Sequence, residues 1–388
     1  EPGTTGSLSD LVTGLETALL AAANAPDSQS QLHSTLNALQ ALSGKINTVT
    51  QETQNLRMDA DTKIAAGVEN LNATLQNLHK LNVDIARQVA SGHEPTALFD
   101  QRQRLIDGIT DLVPLKIVPR EFGKVALIST GGTVLLDGRA GVFSFTESGV
   151  ITPDMSLASG ALSGLSLDGV AVPIGQSGGP LNGGALAAQF QLRDVTAPEI
   201  SLALDIIARD LIERFDGPAP DTTIGALVPG LFTDAGLAFD PLKLTGLAGR
   251  LAVNSAVDPD LGGALWRLRD GIGGSSPGPQ GDGRLLANLA EVMQTGRAAP
   301  GGPFATGLHT PADLATDLAS LTATSRLHAE ERFAYESARR ATFSEAELAA
   351  GVNTDAELQN LLLIEENFAA NARVISAADE LLQVLLGI

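Results

Sequence analysis

Few residues in this chain have the types and spacing that chemistry needs. Gly175-Gln176-Ser177-Gly178-Gly179-Pro180 fits the G-x-S-x-G spacing of a nucleophile elbow, in which a tight strand-to-helix turn holds a serine hydroxyl out for attack. Ser177 would then need a histidine base steadied by a carboxylate. The candidates are His33, His79, His93, His309 and His328. The first two fall inside a long helical pattern and the third in the turn after it. His309 and His328 come late enough for an α/β-hydrolase order, but no parallel βαβ series accompanies them. A hinge between two structural regions accounts for the run more simply. The histidines form no i, i+4 pair and no H-E-x-x-H motif, and the absence of Cys removes thiolate nucleophiles and thiolate metal ligands. Asp258-Pro259-Asp260 lacks the glycine and terminal glutamate of a calcium loop. Gly131-Gly132 reads as a turn rather than a phosphate cradle. The residues therefore assign no catalytic group, no metal and no cofactor.

The elements around these residues explain why. The serine run also resembles the Gly-Asp-Ser-Gly-Gly-Pro segment of trypsin-like proteases, with Gln176 in place of the Asp, but the cysteines and six-strand barrels of that family are missing. A chain of 388 residues has room for two or three compact units. Its net charge of -20, from 45 acidic and 25 basic residues, argues against nucleic acid, which needs clustered Lys and Arg. Aromatic residues make up only 4%, with Trp266 and Tyr335 the single examples of their types. Leu and Ala in long helix contacts suit this composition better than an aromatic-anchored enzyme core. No apolar run reaches transmembrane length, so no membrane insertion is expected. The chain opens at Glu1 without an apolar signal region, which reads as a processed or truncated start.

Ser7 to Ala25 reads as a short helix, and Ser28 with Gln31 opens a much longer one. From Leu32 through Leu36, Leu39, Ile46, Ile64, Leu71, Leu78 and Ile85 the apolar residues keep a three-four rhythm, with no proline between Pro26 and Pro95. Unbroken, this helix would be roughly 90 Å long at about 1.5 Å per residue; Gly44 and Gly67 are where it could bend. After a helix over Thr96 to Leu112 the period switches to two. Short strands are expected at 115–120, 124–129, 133–136, 142–145, 150–152 and 165–174, separated by turns such as Asp137-Gly138 and Asp168-Gly169. Helix returns from Ala185 to Phe215 with a kink expected at Pro198. The stretch from Ala219 to Gly283 is rich in Gly and Pro and irregular, with a strand at Leu251–Val253. Helices follow from Arg284 to Gln294 and from Thr310, whose Thr-Pro-Ala-Asp start has the residues of a helix N-terminus.

The last segment, Gly351 to Ile388, reads as a helix. Leu361, Phe368, Ile375 and Leu382 recur every seven residues, with Leu385 three positions after the last of them. This narrow seam has coiled-coil spacing and needs a partner helix. The expected fold is mainly α with an inserted antiparallel β domain (α+β). Residues 1–114, 181–216 and 284–350 are expected as a discontinuous helical core, 115–180 as the β insertion, 217–283 as an irregular segment, and 351–388 as a coiled-coil helix.

Four collinear motifs resemble one family. Gly351-Val352-Asn353, Asp355, Asn360-Leu361, Ala370-Asn371-Ala372 and Ala377 are similar to the C-terminal signature of the flagellar hook-associated protein 1 family. Leu56-Arg57-x-Asp59-Ala60-Asp61, Leu98-Phe99-Asp100-Gln101-Arg102, and Leu181-x-Gly183-Gly184-x-Leu186 followed by Arg193-Asp194 match it in order and spacing. The resemblance implies a non-enzymatic, exported, extracellular subunit of the bacterial flagellum at the hook–filament junction. It would assemble as a ring between hook protein and the second junction protein, and be held at its C-terminal helix by an export chaperone. Leu361, Phe368, Ile375, Leu382 and Leu385 would be its assembly interface. The resemblance further implies that the family's N-terminal helix is to be expected ahead of Glu1, outside this sequence, and that Ala219–His309 is a shortened counterpart of the large outer domain that many relatives carry. Another flagellar axial protein (the second junction protein or hook protein), a secreted helical adhesin, and a serine hydrolase using Ser177 are the alternatives.

Overall fold

The structure is a computed structural model that describes residues 5–175, 179–217, 219–225, 228–299 and 301–350. Residues Glu1–Ser320 form one unit and Leu321–Ile388 a second. In the first, α1 (Leu8–Asn24) is capped by Ser7, whose hydroxyl accepts from the Asp10 N–H, and α2 (Gln29–Ala90) by Ser28, which accepts from the Gln31 N–H. α2 runs 62 residues without interruption. Neither Gly44 nor Gly67 breaks it; Gly67 faces the side chains of Leu186 and Leu112, which a Cβ there would meet at ordinary contact distance. α3 (Thr96–Thr110) follows the turn at Gly92 and Pro95.

The β region forms two small antiparallel sheets. β1 (Leu115–Pro119), β2 (Val125–Ser129), β3 (Val134–Asp137) and β4 (Arg139–Ala140) lie side by side in sequence order. β1 pairs Leu115 with Ser129 and Pro119 with Val125, and a bulge at Leu127/Ile128 shifts the register against β3. β5 (Phe143–Ser144), β6 (Ser166–Leu167) and β7 (Val170–Ala171) make the second sheet. Residues 150–152, expected as a strand, form none. The Asp168-Gly169 turn joins β6 to β7 with both residues at positive φ, as a two-residue hairpin turn of this type requires.

α4 (Gly184–Gln191) passes through a single π turn, Leu192–Thr196, into α5 (Ala197–Phe215). A kink was expected at Pro198 itself; the irregularity falls just before it. Pro198 has no N–H to close a regular helical bond, and the preceding residue, Ala197, donates to the Leu192 carbonyl five residues back. Beyond α5 come β8 (Phe232–Asp234) and β9 (Leu251–Val253), paired antiparallel, then α6 (Trp266–Asp270) and α7 (Arg284–Gln294). β10 (Arg297–Ala298) pairs with β11 (Leu308–His309), and α8 (Pro311–Ala350) closes the described chain. Thr310 and Asp313 cap α8 reciprocally.

The buried apolar side chains fall into two clusters along α2. The first joins Leu15, Leu19, Leu32, Leu39 and Ile46 to α5, α7 and the start of α8 through Leu204, Leu211, Leu286 and Leu314. It also takes in Leu231, Phe232, Leu251, Val257 and Leu268, so the irregular 217–283 stretch wraps the amino-terminal half of α2 as part of its core. The second cluster joins Ile64, Leu71, Leu75 and Leu78 to Ile106, Leu127, Phe143, Leu186 and Phe190. The inserted strands thus bury their apolar faces on the helices and have no separate core. Leu321 to Ala350, in the second unit, are described as the continuation of the α8 helix.

Candidate functional site

Between the two clusters the buried seam of α2 turns polar. The positions that continue its three-four rhythm from Ile46 to Ile64 are Thr50, Thr53, Arg57 and Ala60, all buried. The threonine hydroxyls donate to carbonyls one turn back, at Ile46 and Val49, and so need no outside partner. Arg57 cannot do this. Its Nε donates to the Arg193 carbonyl (3.1 Å), Nη1 to Gln54 Oε1 and the Thr152 carbonyl (3.2 Å each), and Nη2 to the Met155 carbonyl (2.7 Å). Burial lowers the Arg57 pKa, with Asp194 and Asp154 opposing that effect and Arg193 adding to it.

One turn further on, Asp61 accepts from Arg193 Nη1 at 2.6 Å and from the Ser148 N–H at 2.6 Å. Both side chains of this ion pair are 0% exposed. Arg193 also grips Asp194 with two bonds of 2.8 Å and donates to the Ser163 carbonyl at 2.9 Å. Its guanidinium lies over the rings of Phe190 (4.9 Å) and Phe145 (5.4 Å), which meet edge to face. Burial opposes its charge, yet Asp194 and Asp61 hold its pKa above the ordinary arginine value. The π turn places Arg193 here: it bulges the helix between α4 and α5 where the side chain reaches across to α2. The network thus ties three separate stretches together, namely α2, the α4–α5 turn and the loop between β5 and β6.

Two asparagines extend this arrangement along α2. Asn72 donates to the Phe143 carbonyl and accepts from its N–H, both at 2.8 Å. Asn82 does the same for Val125, at 2.8 Å and 3.2 Å. Each amide stands in for a neighbouring strand, satisfying the backbone groups of one residue in β5 or β2. Arg102 donates to the Gly123 carbonyl at 2.6 Å and stacks over Phe99, closing the turn before β2. Burial lowers the Arg102 pKa. At the other end, Gln40 donates to Asp258 and Asn47 to the Leu251 carbonyl.

Three of the four sequence motifs therefore meet in structural roles. Arg57 and Asp61 join Arg193 and Asp194, while Arg102 braces the strands. The motifs name these residues without bringing them together, and Asn72 and Asn82 belong to none of the motifs; a polar residue inside a buried three-four rhythm is the signal that marks them. The residues proposed for assembly, Leu361, Phe368, Ile375, Leu382 and Leu385, lie outside the described residues, as does Ser177. His309 is held by the Ala305 carbonyl (2.9 Å) and Asp317 (3.2 Å), and its own carbonyl accepts from Arg214. Among the described residues no three His, Cys, Asp or Glu side chains form a metal-binding group, and no helix is long and apolar enough to cross a membrane.

Comparison with known proteins gives these joints a family. Residues 2–217 match the model for the helical domain of flagellar hook-associated protein FlgK, and residues 347–388 match that for the C-terminal segment of the flagellar basal body rod FlgEFG proteins. Flagellar hook-associated protein 1 of Bacillus subtilis (strain 168) is 25% identical over 374 residues, covering 89% of this chain and 69% of that protein. The solved structure of the flagellar hook junction protein FlgK from Burkholderia pseudomallei aligns over 59% of this chain and 41% of its own, at 20% identity and a TM-score of 0.46. The first match spans more than half of the residues, including every member of the Arg57–Asp61–Arg193–Asp194 network. The chain belongs to the flagellar hook-associated protein family that carries the FlgK helical domain.

Proposed function

We propose that this protein is a structural subunit of the bacterial flagellum that joins hook to filament, and that its work is packing rather than catalysis. The carrying observation is that the two flagellar family matches bracket the chain, at 2–217 and 347–388. The second coincides with the seven-residue seam of Leu361, Phe368, Ile375, Leu382 and Leu385. In this reading the seam docks on a partner helix in the axial assembly. The polar-jointed unit of α2, α5 and the inserted strands holds a fixed outer body. Self-assembly into a ring, contacts with hook protein and the second junction protein, export to the cell exterior, and chaperone capture of the terminal helix before export belong to the same proposal.

Phe368→Asp places a charge in the middle of the seam, where burying it without a partner is strongly unfavourable. A strain carrying only this variant is expected to make hooks without filaments and to be non-motile, while the purified variant melts as the parent does. Normal motility and filament number would overturn the assignment of the seam.

A further inference from the structure

The stretch Leu181–Gly184 carries the chain from the inserted strands into α4, and it is pinned on both sides. The Leu181 side chain is buried in the second cluster, and its carbonyl accepts from the Gly175 N–H at 3.0 Å. Past the turn, the Ala185 and Leu186 N–H groups donate to the carbonyls of Asp111 and Leu112, at 2.8 Å and 3.2 Å. A Cβ on Gly184 would sit 2.3 Å from the Leu112 oxygen. Between these pins Asn182 and Gly183 are exposed, and Gly183 has a φ of 85°. Among the described residues, neither the Asn182 amide nor the Gly183 N–H has a hydrogen-bond partner.

We propose that Asn182 is a site of spontaneous deamidation, and that its isoaspartyl product unlatches α4 from the end of α3. Asn182-Gly183 is the one Asn-Gly pair in the chain. A following glycine offers no Cβ to obstruct its own backbone nitrogen as that nitrogen approaches the asparagine Cγ. The Gly183 nitrogen attacks the Asn182 Cγ and gives up its proton; the N–Cγ bond forms, the Cγ–Nδ2 bond breaks, and ammonia leaves. Water then opens the cyclic imide. Opening at Cγ leaves aspartate on an ordinary backbone. Opening at the main-chain carbonyl leaves isoaspartate, with Cβ and Cγ now in the main chain. One water enters and one ammonia departs, with no change of oxidation state.

The two products differ in what the pins tolerate. Aspartate keeps the backbone length. Isoaspartate adds one main-chain atom between Leu181 and Gly184, where the Leu112 carbonyl leaves no slack. Among the described residues, other asparagines with small following residues are protected. Asn254, before Ser255, is buried; its amide donates to the Pro229 and Gly230 carbonyls and accepts from the Ala256 N–H. Asn47 and Asn72 lie within α2, where the following N–H belongs to a helical hydrogen bond.

The test incubates the full chain at mildly alkaline pH and physiological temperature. Mass spectrometry follows the peptides containing Asn182 and Asn254, and isoaspartyl methyltransferase labels the isoaspartate. The Asn182 peptide is expected to gain about one dalton many-fold faster than the Asn254 peptide. Labelling should disappear in Asn182→Gln, and the labelled fraction should lose amide-exchange protection at Ala185 and Leu186. Equal rates at Asn182 and Asn254, or undiminished labelling in Asn182→Gln, would overturn the site. Unchanged protection in the labelled fraction would overturn the unlatching.

Discussion

Replacing Arg193 by methionine should test whether the polar joint holds the two halves of α2 in one folding unit. Methionine keeps much of the side chain's length and its apolar contact with Phe190 and Phe145, so the lost element is the charged head. That head makes two bonds to Asp194, one to Asp61 and one to the Ser163 carbonyl. Asp194 is partly exposed and regains water. Asp61 is fully buried and keeps only the Ser148 N–H. Removing one partner of such a pair costs about 3–5 kcal/mol, mostly through the carboxylate left behind. In a unit spanning Glu1–Ser320 that corresponds to a fall of about 4–7 °C in melting temperature, from an unfolding entropy of about 2.1 cal/mol/K per residue.

The companion variant separates this account from simple loss of packing. Asp61→Leu in the Arg193→Met background removes the stranded carboxylate, and buried pairs replaced by apolar residues are often neutral. The double variant should recover more than half of the loss, measured as the urea midpoint at constant slope. An Arg193→Met variant within about 1 kcal/mol of the parent would refute the reasoning, since that is the typical cost of an unexceptional point mutation. So would a double variant less stable than Arg193→Met alone.

Two further predictions concern other joints. Asn82→Ala leaves the buried N–H and carbonyl of Val125 without their side-chain partner and should cost about 2–4 kcal/mol, with faster amide exchange at Val125; unchanged exchange there would count against the asparagine as a surrogate strand. Burial raises the Asp205 pKa above the ordinary carboxylate range even though the Gly246 and Ala248 N–H groups donate to it. The folded state therefore takes up this proton before the unfolded chain does as pH falls, and the parent gains stability from Asp205 between that raised pKa and about 3.9. Asp205→Asn has no such contribution, so the urea midpoint of the parent should rise relative to that of the variant on acidification through this window; an unchanged difference would refute the direction.

Sequence pattern carried the helices well because their signal is local. The rhythm from Leu32 to Ile85, the Ser28 cap and the prolines flanking α2 all lie on the element they define. The β hairpins around Asp137-Gly138 and Asp168-Gly169 were legible for the same reason. In the 217–283 stretch the strand at Leu251–Val253 was legible, but its partner and its packing were not. β8 pairs with β9 across the intervening 235–250 segment, and its burial depends on Phe215, Ile46 and Leu211 from elsewhere in the chain. The joint was half legible: Arg57, Asp61, Arg193 and Asp194 could be quoted as motifs, but only the fold places residue 61 against residue 193. The assembly seam was legible as a period alone.

The polar joint also explains how so long a helix keeps one alignment. A seam of leucines repeating every seven residues packs almost as well after a slip of seven, and apolar contact alone discriminates weakly between such registers. On α2 the anchors Gln40, Asn47, Gln54 and Asp61 share that same spacing and by themselves would slip with it. Their partners break the degeneracy, because Asp258, the Leu251 carbonyl, Ser201 and Arg193 are chemically different. Asn72 leaves the seven-residue spacing, Asn82 returns to it three heptads beyond Asp61, and the two fix strand residues, Phe143 and Val125. A one-heptad slip would bury Arg57 or Asp61 against the wrong group, at a cost that leucine packing does not offset. The buried charge is therefore best understood as a registry device: it adds little net stability over an apolar seam, but it makes the misaligned alternatives expensive.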